Sequence, residues 1–134
     1  MVVGTESKKH MVTTLYLQLG GRPAMEAAVD ELGKRLRRDP LFGPKGSDAL
    51  PCPRERLVEF LTYIFAGSPC YDGGPVWERY AGQPGFEARY RRFVDHLVAA
   101  LVEPSGSVCL ALEIRDVMER VGDHVARHSE QVEA

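Results

Sequence analysis

No run of apolar residues in this chain approaches the ~18 needed to cross a bilayer, so a membrane span is excluded. Cysteine is sparse: Cys52, Cys70 and Cys109 cannot all pair within one chain, and no two stand in a C-x-x-C spacing. That argues against a disulfide framework and against a structural zinc site, and leaves buried or idle thiols as the simple reading. An excess of one charge is missing too. With 17 Lys and Arg against 19 Asp and Glu, the net charge of −2 gives no general attraction to nucleic acid or anionic membrane. The opening MVVGTESKKHMVTT is polar after its first residues and lacks the apolar core of a secretory signal, so the expected address is cytoplasmic. Strand-like alternation is hard to find, and no internal repeat or low-complexity segment is visible.

What is present is one ordinary domain: 134 residues, 44% hydrophobic and 27% charged, the balance of a globular chain. Its periodicity is helical throughout. Gly20 and Gly21 break the chain, Pro23 suits a first helical turn, and Met25, Val29, Leu32 and Leu36 form one apolar stripe. Lys34, Arg35, Arg37 and Arg38 close that helix as cations at its negative end, in preference to a phosphate-binding patch. Prolines and glycines from Pro40 to Pro53 predict an irregular loop.

A second helix follows, with Leu57, Val58, Phe60, Leu61, Ile64 and Phe65 on an apolar face wide enough for a central position. Val76 to Ala81 reads as a short helix carrying Trp77 and Tyr80 three apart on one face. The longest stripe runs from Phe86 to Val102 and stops at Pro104. Ser105 or Ser107 can cap the last helix, which is expected to fray after Arg127. The reading is an all-α domain with a polar tail at 1–13, a structured part at 14–127 and a paired final two helices. Its expected core is Leu32, Phe60, Ile64, Phe93, Leu97, Ile114 and Val121.

Three segments carry more than periodicity. TLYLQLGGRPAMEAAVDEL resembles the opening of a group 1 truncated hemoglobin leading into its B helix. LVEFLTYIFAGSPCYDGG, with Gly67, Tyr71 and Gly73, resembles that family's E helix and its end, and VDHLVAAL resembles its G helix. They follow in order, at nearly ungapped spacing, over residues 14 to about 125. The resemblance implies a two-over-two helical sandwich, a truncated-globin fold, holding heme between the E and F helices. It also implies a proximal histidine on the F helix, and that position falls on Tyr80 of WERYAG. No histidine lies between His10 and His96, so a small misalignment does not restore one. The usual distal tyrosine position falls on Gly33, the distal E-helix sites near Pro53 and Leu57, and the phenylalanine pair near Pro44 and Lys45, with Phe42 the nearest aromatic.

On this reading Tyr80 is the expected iron ligand, with Phe42, Leu57, Leu61, Trp77 and Phe93 as the other cofactor-binding residues. A phenolate is a hard anionic donor that favours ferric iron, which suits redox, peroxide or N-oxide chemistry over oxygen storage. The alternative is a heme-free globin module that uses the cavity or its surface for a small molecule or protein partner. His96 is expected to be a hydrogen-bonded helix residue, and His124 and His128 cations near a helix end. Arg79, Arg89, Arg91 and Arg92 form a charged face from which one or two can meet the carboxylates of heme. The expected assembly is a monomer or homodimer, and no catalytic residue stands out.

Overall fold

The computed structural model describes residues 14–43, 49–81 and 84–133, apart from the side chains of 81 and 126–133. Among them no strand occurs. A short helix, α1 (Leu15–Leu19), precedes the first one anticipated. The Thr14 hydroxyl accepts a hydrogen bond from the Leu17 N–H and starts it, and Gly20 stops it with φ of 115°. Helix α2 (Gly21–Arg37) begins immediately, two residues before Pro23. It buries Met25, Ala28, Val29, Leu32 and Leu36, the 3.6-residue stripe that drives it into the core. Lys34, Arg35 and Arg37 occupy its last turn, as the helix dipole favours. Arg35 there reaches Glu31 and Glu103.

The stretch after α2 is not wholly irregular. Asp39 accepts from the Leu41 N–H and initiates a single 3₁₀ turn, Pro40–Phe42. Helix α3 (Arg54–Ile64) starts after Pro53 and buries Leu57, Val58 and Leu61. Its end is sharp: Ala66 takes φ of 72°, and Phe65 turns inward to be fully buried. Helix α4 is one turn, Glu78–Ala81, shorter than the expected Val76–Ala81, because Gly74 (φ 100°) and Pro75 hold the preceding chain in a non-helical path. Helix α5 (Phe86–Val102) carries the longest buried stripe. The Ser107 hydroxyl accepts from the Leu110 N–H at the start of α6. That helix spans Val108–Glu133, with the side chains from 126 on outside the described ones.

Packing follows from the stripes. Helix α2 lies against α3 and crosses α5, and α5 pairs with α6, which gives two helix pairs stacked on one another. Leu32, Phe93, Leu97 and Ile114 are fully buried between the layers, as expected. Phe60, Ile64 and Val121 are only partly buried, a correction to the expected core, because they face an open cleft between α3 and α6. The three cysteines are free, Cys52 buried and Cys70 and Cys109 exposed.

Candidate functional site

Tyr80 sits at the centre of the residues expected to form the site. Its one-turn helix places it three residues after Trp77, so both rings project to the same side, and the Tyr80 N–H closes the turn on the Trp77 carbonyl at 3.0 Å. Tyr80 is 4% exposed, and its hydroxyl donates to the Ala49 carbonyl at 2.5 Å. Its ring lies 5.6 Å from Phe42, 6.2 Å from Trp77 and 6.1 Å from Phe93, centroid to centroid. These are ordinary spacings for packed aromatic pairs.

Trp77 extends the cluster in the other direction. Its indole meets Phe60 edge-on at 6.0 Å, Tyr90 at 5.1 Å and Phe93 at 5.1 Å. Tyr90 is pinned in turn by its hydroxyl, which donates to the Met118 carbonyl at 2.5 Å, and burial pushes its phenol pKa upward. The fold therefore gathers Tyr80, Phe42, Trp77 and Phe93 into one set of touching rings. Leu57 and Leu61 are fully buried on α3 in the same core.

A cleft of about 700 Å³ opens beside this cluster. Phe60 and Ile64 of α3, Trp77, and Val117, Val121 and Val125 of α6 give it apolar walls. Arg120 and His124 are the basic side chains on its lining, with Tyr63 and Ser68 as its hydroxyls. Of the six expected residues only Trp77 lines it, so that indole stands between Tyr80 and the open space. The part played by α6 was missed from sequence. Val117, Val121 and Val125 are spaced four apart, a signal for one helix face, but a stripe alone does not distinguish a core from a cleft wall.

The remaining candidates fall elsewhere. His96 Nε2 lies 2.8 Å from Asp39, which Arg92 also meets at 2.8 Å, as a hydrogen-bonded helix histidine should. Burial raises the Asp39 pKa, but hydrogen bonds from His96, the Leu41 N–H and Arg92 outweigh it and hold the carboxyl below its ordinary value. Arg79 donates to the Leu50 carbonyl and Arg89 to the Pro84 carbonyl, while Arg91 lines a separate groove between α5 and α6. Gly33 is buried on α2, and a Cβ there would meet only the end of Arg37, at 3.4 Å. Pro44 and Lys45 lie outside the described residues, as does the His128 side chain. Among the described residues no group of three His, Cys, Asp or Glu side chains could hold a metal ion, and no helix is long and apolar enough to cross a membrane.

Comparison with known proteins bears on the whole arrangement. The bacterial-like globin family matches residues 14–127. The group 1 truncated hemoglobin GlbN of Nostoc commune is 43% identical over 83 residues, covering 58% of this chain and 70% of that protein. GlbN of Nostoc sp. strain MUN 8820 matches to the same extent. The Synechocystis protein of that name is 36% identical over 63 residues, which is 46% of this chain and 51% of its own length.

Proposed function

The chain belongs to the bacterial-like globin family, which makes heme its cofactor, and from that premise we propose an atypical ferric-heme protein in which Tyr80 would hold the iron. The lining of the cleft suits a flat apolar group, and Tyr80, which does not itself line the cleft, supplies the donor chemistry nearby. The cleft falls within the 300–1,000 Å³ usual for cofactor sites and has aromatic and aliphatic walls. An oxygen donor able to ligate ferric iron is buried one ring behind it. When bound, heme supplies a Lewis-acidic, redox-active iron.

The observation that carries this reading is the buried phenol of Tyr80, on α4, within a ring cluster that excludes water. With its proton, the hydroxyl donates to Ala49; without it, the oxygen is a hard anion that favours ferric over ferrous iron. As a ligand Tyr80 would give up its hydrogen bond to Ala49, worth about 1 kcal/mol net. Phe42 and Phe93 pack on the ring of Tyr80, and Leu57 and Leu61 are buried in the same core. Gly33 and Leu57 offer no polar side chain on the distal side. That lack suits redox, peroxide or N-oxide chemistry and disfavours oxygen storage, which needs a stabilised charged adduct.

The same Tyr80–Ala49 hydrogen bond is the observation behind a second reading. A hydroxyl committed to the Ala49 carbonyl and a ring packed on three others are what a structural tyrosine in a heme-free binding module would show. Titrating hemin into the purified chain separates the two. Ligation by Tyr80 predicts saturation at one heme per chain and the visible charge-transfer band of an iron–phenolate. No uptake from excess hemin would establish the heme-free module.

A further inference from the structure

We propose that Asp39, tied to Arg92 and His96 of α5, is a positioning residue of the Tyr80 site: it sets the turn that seats Phe42 on the phenol ring. Asp39 is the one charged residue buried among the described residues, with its side chain 4% exposed. Burying a carboxylate is costly unless its oxygens are bonded, and here both are. Oδ1 accepts from the Leu41 N–H at 3.0 Å and starts the turn Pro40–Phe42. Oδ2 takes the Arg92 guanidinium at 2.8 Å and His96 Nε2 at 2.8 Å. An ionised carboxylate only accepts, so Nε2 carries the hydrogen. A serine or asparagine would cap the turn as well as Oδ1 does. The second oxygen and its two basic partners, 53 and 57 residues further on, are surplus to the turn. What they add is a fixed place for it against α5.

The two stretches joined at Asp39 also meet at Tyr80. Phe42 ends the turn, and its ring lies 5.6 Å from that of Tyr80. Phe93, between Arg92 and His96 on α5, has its ring 6.1 Å from the same phenol. Further along from the turn, the Ala49 carbonyl accepts from the Tyr80 hydroxyl. Asp39 therefore pins the start of a stretch that touches the phenol twice, at its ring through Phe42 and at its oxygen through Ala49. The pin runs to the helix that carries Phe93, so both ring contacts are referred to one long element. Without the tie, the turn can shift against α5 and Phe42 can leave the Tyr80 ring. The use of a seated phenol rests on Tyr80 as the iron donor, whereas the tie itself needs no heme.

Labelling the rings of the five tyrosines with carbon-13 tests this by NMR on the heme-free chain. The resonances lost in Tyr80→Phe belong to Tyr80, and their position reports the Phe42 ring beside it. In Asp39→Ser a hydroxyl still caps the turn but is too short to reach α5. The Tyr80 resonances should then move toward their position in Phe42→Ala, while those of Tyr16 on α1 and Tyr63 on α3 stay in place. Added to Phe42→Ala, the serine should move Tyr80 no further. His96→Ala leaves Arg92 on the carboxylate and serves if Asp39→Ser does not fold; it should displace Tyr80 in the same direction. Circular dichroism checks that each variant keeps its helices. Tyr80 resonances that do not move in the folded variants overturn the assignment. So does a displacement shared by all five tyrosines, the mark of general loosening, or one that persists in full on the Phe42→Ala background. With hemin added, the phenolate band should change wavelength in Asp39→Ser, and a band that only loses height overturns the positioning role. Absence of the band from the native chain removes Tyr80 as ligand and leaves the resonances to decide on Asp39.

Discussion

The hydroxyl of Tyr80 donates to the carbonyl of Ala49, so the one-turn helix α4 is tied directly to the chain that leads into α3. On the proposed reading one atom serves two demands: protonated, it bonds the Ala49 carbonyl, and deprotonated, it would be a donor to iron. Tyr80→Phe separates them. The variant keeps the ring contacts to Phe42, Trp77 and Phe93 and leaves the Ala49 carbonyl unpaired, at a cost of about 1–3 kcal/mol. Denaturant titration should show that loss with unchanged helicity. After hemin addition the phenolate band should be absent. If the band persists unchanged in Tyr80→Phe, another residue is the ligand, and His96 is the next to replace.

A second relationship governs acid stability. Asp39 is buried and accepts from His96, Arg92 and the Leu41 N–H, bonds that outweigh its burial and lower its pKa. A carboxyl with a depressed folded pKa contributes its full stabilisation above the ordinary carboxylate value, near 4, and loses it as pH falls through the lower folded value. Between pH 7 and pH 3 the native chain should therefore lose more unfolding free energy than Asp39→Asn. The asparagine variant is expected to be less stable at pH 7 and closer to the native chain at pH 3. Parallel pH profiles for the two proteins would show that Asp39 is not a linkage site.

How much of this was legible in the sequence depends on the range of each signal. The stripe Met25 to Leu36 and the stripe Phe86 to Val102 repeat over several turns, and both helices were read with nearly correct ends. Helix α1 has five residues, too few for a period to show, and depends on one Thr14 hydroxyl and Gly20. Phe60 and Ile64 were placed in the core because an apolar face says that water is avoided, not whether a neighbouring helix or a ligand covers it. The pairs that organise the site are remote. Tyr80 and Ala49 are 31 residues apart, and His96 and Asp39 are 57 apart. No local pattern encodes such partners. Tyr80 was identified because the resemblance fixed its position, and its partner was not.

The difference between core and cleft wall is measurable. Leu97 is fully buried on α5, and Leu97→Ala should destabilise by about 2–5 kcal/mol, through lost transfer energy and the cavity left behind. Phe60 removes more atoms on truncation but already faces open space, so Phe60→Ala should cost less than the ~3–5 kcal/mol usual for a buried phenylalanine. Chemical denaturation of both variants tests the assignment. A larger loss for Phe60→Ala than for Leu97→Ala would place Phe60 in the core after all.

Gly67 gives the sharpest steric test. A Cβ built there would lie 2.5 Å from Cγ of Tyr16 and within 2.7 Å of both Cδ atoms, closer than real contacts allow. Neither partner can retreat easily. The Gly67 N–H is bonded to the Thr62 carbonyl at 2.7 Å, and the Tyr16 N–H donates to the Phe65 carbonyl at 2.9 Å. The second bond holds α1 against the end of α3 and the first fixes the turn that carries Gly67, so an added methyl must break one of them or swing the Tyr16 ring away. Gly67→Ala should therefore destabilise by about 1–3 kcal/mol, the usual range for an overpacked site. Tyr16→Ala removes the ring that the methyl meets and carries its own cost in lost packing. In the double variant the methyl has room, so the two losses should add to less than their sum, with a coupling of at least about 0.5 kcal/mol. Strict additivity in a double-mutant cycle would mean that the ring and the methyl do not collide, and that α1 is held by its backbone bonds alone.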